Sequence, residues 1–159
     1  MDRYHYIESG LDNVWLANGF EIVQTGHGEG IRINNVDGLH QAIGEHLLGL
    51  ERALIGPEVR FLRESMDCTQ RELGQLLGFS DGQIIRQAEA GGSRLRAGIE
   101  GMLRGLYAER MQTERRLEFR RLLEALRDAV DAEPPTGMVK FEEHAHHWSV
   151  PVTSGPLHA

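Results

Sequence analysis

The stretch from Pro57 to Gly91 constrains the fold of this chain more than any other part of its sequence. It reads PEVRFLRESMDCTQRELGQLLGFSDGQIIRQAEAG and contains start and stop signals for three short helices. Thr69 and Glu72 form a capping box, in which each side chain can satisfy the free backbone N–H of the other residue. Gly78 can end that helix, because glycine tolerates a positive φ. Helices joined by a tight glycine-containing turn predict a helix-turn-helix.

Apolar residues recur at helical spacing in all three predicted helices. Pro57 suits the first helical position, where its missing N–H needs no partner. Asp81 is a good N-cap for the third helix, and Gly91 breaks the chain after it. The residues expected to be buried are Val59, Leu62 and Met66 in the first helix, Leu73, Leu76 and Leu77 in the second, and Ile85 and Ala88 in the third. The third helix then turns Gly82, Gln83, Arg86 and Gln87 outward.

These residues resemble the helix-turn-helix of phage-repressor-type (XRE, Cro-like) transcriptional regulators. The matching pattern is Thr69-Gln70-x-x-Leu73-Gly74-x-x-Leu77-Gly78, followed by Ile85-x-x-Ala88-Glu89-x-Gly91. The turn is one residue longer than in the family, so either Ile84 or Ile85 can be the buried residue. The register that also aligns Ala88, Glu89 and Gly91 favours Ile85. With the helix that follows, the resemblance extends over residues 57–111.

The resemblance implies a DNA interface built around the third helix, whose exposed residues enter the major groove in this family. Glutamine can bond bidentately to adenine, and arginine to guanine. Gln70 matches a residue that binds a phosphate at a helix N-terminus, whereas Arg63 and Glu89 match an ion pair that ties the first helix to the third. The implied DNA-binding residues are Gln70, Ser80, Asp81, Gly82, Gln83, Arg86, Gln87, Arg94 and Arg96.

Charge is distributed unevenly along a chain of net charge −7. Residues 1–56 carry three arginines against eight acidic residues, whereas residues 57–111 carry eight of each. The helix-turn-helix region is therefore less acidic than the N-terminal region, without being basic. Phosphate binding in such a region has to rely on the local placement of arginines rather than on a strongly positive field.

The N-terminal region reads as strands followed by a helix. Val14–Ala17 and Phe20–Val23 flank Asn18-Gly19, which predicts a β-hairpin. The glycine-rich segment Thr25–Gly30 is expected to be a hairpin loop rather than a phosphate loop, since no G-K-[ST] follows it. The helix that follows should start at Asn35 or Asp37 and present on one face Val36, Leu39, Ile43 and Leu47.

After Gly91, Ser93 is expected to cap a helix that carries Leu95, Ile99, Met102, Leu103, Leu106 and Tyr107. A long helix should run from Thr113 to about Ala132, a linker should cover 133–137, and a final strand should begin at Met138. The predicted fold class is α+β. Its regions are an N-terminal β/α arm (1–50), a helix-turn-helix domain (57–111), a helix suited to dimerisation (112–135) and a C-terminal strand and tail (136–159).

Other features of the sequence favour a cytoplasmic DNA-binding protein without a cofactor. No apolar run approaches the roughly 20 residues of a membrane helix, and no signal peptide precedes the N-terminal region. Cys68 is the only cysteine, which fits a reducing compartment. No motif indicates a catalytic site, so an enzyme is not expected. The sequence thus predicts a transcriptional regulator that binds an inverted-repeat operator as a homodimer. The resemblance implies that this regulator is a repressor.

Two alternatives remain open at this stage. The opening Y-x-Y-x-E-S-G-L-D-N-V-W-L resembles a segment of regulators related to zinc-finger antitoxins, although the expected cysteine near Ser9 is absent. In that interpretation residues 1–50 bind a basic protein partner while the helix-turn-helix autoregulates. The second alternative is a metal-binding domain around the C-terminal histidines. On a continuous strand, His144 and His146 would share a face with Glu142, and His147 would point the other way.

Overall fold

The structure is a computed structural model, and it describes residues 3–111 and 137–151. Its architecture is α+β, as the sequence predicts. The chain divides into two compact units, one formed by residues 1–42 and 137–159 and the other by residues 43–136. The C-terminal strand region therefore belongs to the same unit as most of the N-terminal arm.

In the part of the first unit that the structure describes, six strands form a four-stranded and a two-stranded sheet. The order in the larger sheet is β1-β2-β5-β6, and β3 pairs with β4 in the smaller one. A short 3-10 helix, Ile7–Ser9, lies between the first two strands. The strands are β1 (Tyr4–His5), β2 (Val14–Leu16), β3 (Phe20–Thr25), β4 (Gly28–Ile33), β5 (Val139–His144) and β6 (His147–Ser149).

The hairpin predicted at Asn18-Gly19 is wrong, because the two strands beside it belong to different sheets. β2 pairs in parallel with β5, with Leu16 opposite Phe141. The Asn18 side chain does not turn a hairpin but bonds the backbone of Glu143, whose N–H donates to Asn18 Oδ1 over 2.7 Å. Leu16 and Phe141 are fully buried. β2 therefore pairs with the apolar strand β5, which is distant in sequence and cannot be predicted from the turn residues beside β2.

The second predicted hairpin is confirmed. β3 and β4 pair in a continuous antiparallel register from Phe20 opposite Ile33 to Thr25 opposite Gly28. The loop between them includes Gly26 and His27, and the Thr25 hydroxyl donates to the Gly28 carbonyl over 2.7 Å. The glycine-rich segment is therefore a hairpin turn.

The C-terminal segment is also a hairpin rather than one strand. β5 and β6 pair antiparallel, with His144 opposite His147. Ala145 and His146 form the turn with φ angles of 50° and 65°, the left-handed region that two-residue hairpin turns use. Trp148 is buried on the far strand, and its indole N–H donates to the Asn34 carbonyl over 3.1 Å.

Within residues 3–111, five α-helices follow the strands of the N-terminal region. They are α1 (Val36–Leu48), α2 (Gly56–Ser65), α3 (Gln70–Leu76), α4 (Gln83–Glu89) and α5 (Ala97–Arg110). The Asn35 side chain accepts a bond from the Gly38 N–H over 3.1 Å, so Asn35 rather than Asp37 caps α1. Val36 is exposed, contrary to expectation, while Leu39, Ile43 and Leu47 are buried.

Three expectations about the second unit need correction. Leu76 is 51% exposed, although Leu73 and Leu77 on the same helix are buried. Ser93 does not cap α5, because the helix begins four residues later, at Ala97. Arg96 occupies the N-cap position and makes no side-chain cap bond. Met102 projects outward as well.

The most buried residues of the second unit have at most 1% exposure, namely Ile43, Leu48, Leu62, Leu73, Ile85, Glu100, Leu103, Arg104 and Tyr107. The predicted helix from Thr113 to Ala132 and the tail from Gly155 lie outside the described residues. In the described part of the chain no helix is long and apolar enough to cross a membrane.

Candidate nucleic-acid interface

The capping box at the start of α3 forms as predicted. The Thr69 hydroxyl accepts from the Glu72 N–H over 3.1 Å, and the Glu72 carboxylate accepts from the Thr69 N–H over 2.7 Å. The bond from the backbone of Thr69 lowers the pKa of Glu72, since it favours the carboxylate. At the other end, Gly78 has a φ of 92° and reverses the chain after α3.

Two glycines allow α3 and the start of α4 to approach each other closely. A Cβ added to Gly74 would lie 2.0 Å from the carbonyl oxygen of Asp81, and one added to Gly82 would lie 2.6 Å from the backbone nitrogen of Arg71. Gly82 is therefore a packing residue, half-buried between the helices. The resemblance had placed it at a base-facing position, and this contact explains why no side chain is present there.

Glu89, in the last turn of α4, connects three helices. It accepts from Arg63 Nε over 2.6 Å and Nη2 over 3.1 Å, which is the predicted ion pair between the first and third helices. It also accepts from the Gln70 side chain over 2.7 Å. Because the Glu89 side chain is 7% exposed, these charge-assisted bonds define how α4 sits against α2 and α3.

The outer face of α4 carries exposed polar side chains. Gln83, Arg86 and Gln87 are all exposed, while Ile85 and Ala88 are buried beneath them, as predicted. The Arg86 guanidinium donates to Gln83 Oε1 one turn away. This bond orients the Gln83 amide and leaves its N–H₂ donors and a second lone pair of its oxygen for other partners.

The residues of the turn before α4 lie at the N-terminus of that helix. Asp81 was expected as the N-cap, but the helix begins at Gln83 and Gly82 occupies the cap position. The Asp81 carboxylate still accepts from the Gln83 N–H over 2.9 Å, so it satisfies a free N–H of the first turn. Ser80 and Asp81 are both exposed beside the N-terminus of α4.

The remaining interface residues lie at the edges of this surface. Gln70 is half-buried and one N–H of its side-chain amide is bound to Glu89, which leaves its second N–H, its oxygen and the backbone of the first turn of α3 for a further ligand. Arg94 and Arg96 are exposed in the segment between α4 and α5. The structure thus brings the predicted residues of α4 together and places the two arginines after the helix.

Internal ion pairs remove charged side chains of both signs from the surface of the second unit. Glu58 pairs with Arg52 at 2.7 Å and Glu100 with Arg104 at 2.8 Å, and all four side chains are buried. Together with Glu89, these acids point inward. The exposed arginines of residues 57–111 are Arg60, Arg71, Arg86, Arg94, Arg96 and Arg110. The arginines that pair with the inward acids, namely Arg52, Arg63 and Arg104, lie inward with them, and Glu64, Asp67, Glu72, Asp81 and Glu109 are exposed among the outer arginines. The outer surface of residues 57–111 therefore stays close to neutral, as the sequence indicates.

Arg71 is a candidate that the sequence analysis missed. It is exposed in the first turn of α3, and its backbone nitrogen lies at the contact with Gly82. Arg71 directly follows Gln70 in the sequence, and this adjacency could have indicated it as a candidate. Its position beside α4, however, depends on the tertiary packing of the two helices.

The C-terminal histidines occupy positions different from those expected on one strand. His146 lies in the turn, whereas His144 and His147 form a directly opposed pair. His144 Nε2 is 3.3 Å from the Glu142 carboxylate. Within residues 3–111 and 137–151, no group of three or more His, Cys, Asp or Glu side chains is arranged to hold a metal ion.

Comparison of this chain with protein-family models, with curated proteins and with solved structures finds no match.

Proposed function

We propose that this protein is a cytoplasmic transcriptional regulator that binds operator DNA as a homodimer, with α4 as the recognition helix. The observation that carries the proposal is the arrangement of α3 and α4, with Gln83, Arg86 and Gln87 together on the exposed face of α4. A short helix held rigidly from beneath, with forked polar side chains above, suits the width of the major groove.

The proposed roles follow from the chemistry of each side chain. Gln83 and Gln87 read base edges, since a primary amide offers both a donor and an acceptor. Arg86 contacts guanine or a phosphate beside them. Arg71, Arg94 and Arg96 bind the sugar-phosphate backbone, which positions the protein without specifying sequence. Glu89 holds α4 in place through its bonds with Arg63 and Gln70.

A homodimer is part of the proposal because seven residues of recognition helix read only a few base pairs. Two copies related by a two-fold axis read half-sites that are about one helical turn of DNA apart. The operator is therefore proposed to be an inverted repeat. A homodimer bound in this way represses transcription when its operator overlaps a promoter.

Selection of bound sites from a random duplex library, at near-physiological salt, tests the proposal. The wild-type protein should enrich an inverted repeat, and Gln83→Ala should lose that enrichment, because a bidentate contact is worth about 1–3 kcal/mol. Gln75→Ala is the matched control, since Gln75 is an equally exposed glutamine on α3. Absence of enrichment by the folded wild-type protein would contradict DNA recognition. It would favour the alternative in which residues 1–50 bind a basic protein partner.

The proposed division between base and phosphate contacts has its own test. Arg94→Ala should weaken binding to specific and random DNA alike, and should reduce the slope of log K against log salt by about 0.9. Arg60→Ala, an exposed arginine of α2 that pairs with Glu64 at 2.8 Å, is the control. Equal losses for Gln83→Ala and Arg94→Ala on both kinds of DNA would contradict the assigned roles.

A further inference from the structure

The β3–β4 hairpin forms a two-stranded sheet with an apolar face that is half-buried at Phe20, Ile31 and Ile33 and exposed at Ile22. Phe20 and Ile22 on β3 lie opposite Ile33 and Ile31 on β4, and all four residues share that face. Ile22 is 63% exposed, although isolated two-stranded hairpins are marginally stable without further packing. This surface is therefore a candidate for contact with another strand.

The outer edge of β3 has free backbone groups. The Asn34 N–H donates to the Gly19 carbonyl over 2.8 Å, which makes Gly19 and Asn34 a hydrogen-bonded pair at the end of the ladder. Because such pairs alternate along an antiparallel ladder, Glu21 and Val23 face β4, while Phe20, Ile22 and Gln24 direct their amides outward. Among the described residues, β3 pairs with no strand except β4.

Natural sheets protect such edges with lysine, proline, bulges or very short strands. β3 is six residues long and contains neither lysine nor proline. Its residues also favour extended structure, since phenylalanine, isoleucine, valine and threonine are common in strands. β4 is a poorer partner for another strand, because Gly28 and Gly30 interrupt it.

We propose that the outer edge of β3 pairs antiparallel with β3 of a second copy of this chain, with Ile22 at the two-fold axis. A two-fold axis perpendicular to the sheet requires directly opposed residues to point to the same face. Ile22 opposite the partner's Ile22 meets this condition, and it places Phe20 opposite the partner's Gln24. These are the residues whose amides face outward, so geometry and hydrogen bonding select the same register.

The side chains are also compatible in this register. Ile31 and Ile22 of one copy continue into the partner's Ile22 and the partner's Ile31, which forms one apolar row across four strands. Glu21 lies opposite the partner's Val23, so no two carboxylates are opposed, and Glu21 keeps its own Arg32 at 3.7 Å. A shift of the register by two residues in one direction would instead place Glu21 opposite the partner's Glu21, which is unfavourable. A shift by two residues in the other direction would place Ile22 opposite the partner's Gln24 and would interrupt the apolar row.

This inference rests on the homodimer of the proposed function and names its interface. Sedimentation equilibrium of the purified full chain tests it without DNA. The wild-type protein should be a dimer, and Ile22→Lys should be a monomer. Ile7→Lys should remain a dimer, and it is a matched control because Ile7 is 62% exposed in the 3-10 helix. A dimeric Ile22→Lys protein would overturn the interface alone, whereas a monomeric wild-type protein would overturn the homodimer as well.

A second measurement applies if Ile22→Lys does not fold. Ile22→Cys and Ile7→Cys are each treated with a short bismaleimide, and the cross-linked peptides are identified by mass spectrometry. Ile22→Cys should give a linkage between two copies of position 22, and Ile7→Cys should give none. Cross-linking of both variants to the same extent, or of neither, would overturn the proposal.

Discussion

Arg104 and Glu100 form a salt bridge of 2.8 Å one turn apart on α5, with neither side chain more than 1% exposed. The same guanidinium donates to the carbonyls of Leu47, Leu48, Leu50 and Arg52, which closes the C-terminal end of α1 and the loop after it. Glu100 in turn accepts from the Leu54 N–H over 2.9 Å. Burial raises the pKa of Glu100 and lowers the pKa of Arg104, because desolvation disfavours both charged forms.

Replacing Arg104 should destabilise the protein strongly. Arg104→Ala leaves a buried carboxylate unpaired and removes the donors from four carbonyls, so we expect the free energy of unfolding to fall by about 3–5 kcal/mol. Urea denaturation measures this change. Arg96→Ala, at the exposed start of the same helix, should change it by less than about 0.5 kcal/mol. Similar midpoints for the two variants would show that the buried network contributes little.

Gly74→Ala should separate α3 from α4. The new methyl group would lie 2.0 Å from the Asp81 carbonyl oxygen, so the helices must move apart, at a cost of about 1–3 kcal/mol in unfolding free energy. Because the proposed function needs α4 in this position, Gly74→Ala should also lower the affinity for DNA. Gly98→Ala is the opposite case, since no atom lies within 4 Å of its added Cβ. For Gly98→Ala we expect the free energy of unfolding to rise by up to about 1 kcal/mol, because alanine has a higher helix propensity than glycine. A lower free energy of unfolding for both variants would contradict the steric explanation.

A double substitution tests the contact between α1 and α5. A Cβ at Gly44 would lie 1.8 Å from the Tyr107 hydroxyl, and that hydroxyl is buried beside Ser65 without a well-aligned hydrogen bond among the described residues. Gly44→Ala should therefore lower the unfolding free energy by about 1–3 kcal/mol, whereas Tyr107→Phe should be nearly neutral. Thermal unfolding of the double variant should show a smaller loss than Gly44→Ala alone, because part of the clash is removed. Strict additivity would refute this coupling.

The first unit should lose stability in mild acid through His40. Its imidazole bonds the Tyr6 hydroxyl at 2.8 Å, and burial lowers the pKa of His40 from its ordinary value of 6.5. Because the folded state favours neutral His40, its stabilisation is present above pH 6.5 and is lost as the pH falls through the lowered pKa. Unfolding monitored by the fluorescence of Trp15 and Trp148 between pH 7.5 and pH 5 should reveal this loss. His40→Gln should reduce the dependence, and His27→Gln in the exposed turn should preserve it.

Local chemistry accounts for what the sequence predicts correctly. The Thr69–Glu72 capping box, the reversal at Gly78 and the burial of Ile85 rather than Ile84 each depend on residues within a few positions of one another. Such features form by hydrogen bonds and helical periodicity inside one short segment. The pairing of Arg63 with Glu89 was accessible only through resemblance, since 26 residues separate them.

The sequence by itself determined the α+β class, the capping box of α3 and the polar residues on α4. The tertiary structure alone decided that β2 pairs with β5 across more than 120 residues, that Gly82 is a packing contact, and that Arg104 lies in the core. The physical reason is that the chemistry of Asn18-Gly19 permits a turn but does not require one. A strand joins the partner that buries its apolar face, and that partner can lie anywhere in the chain.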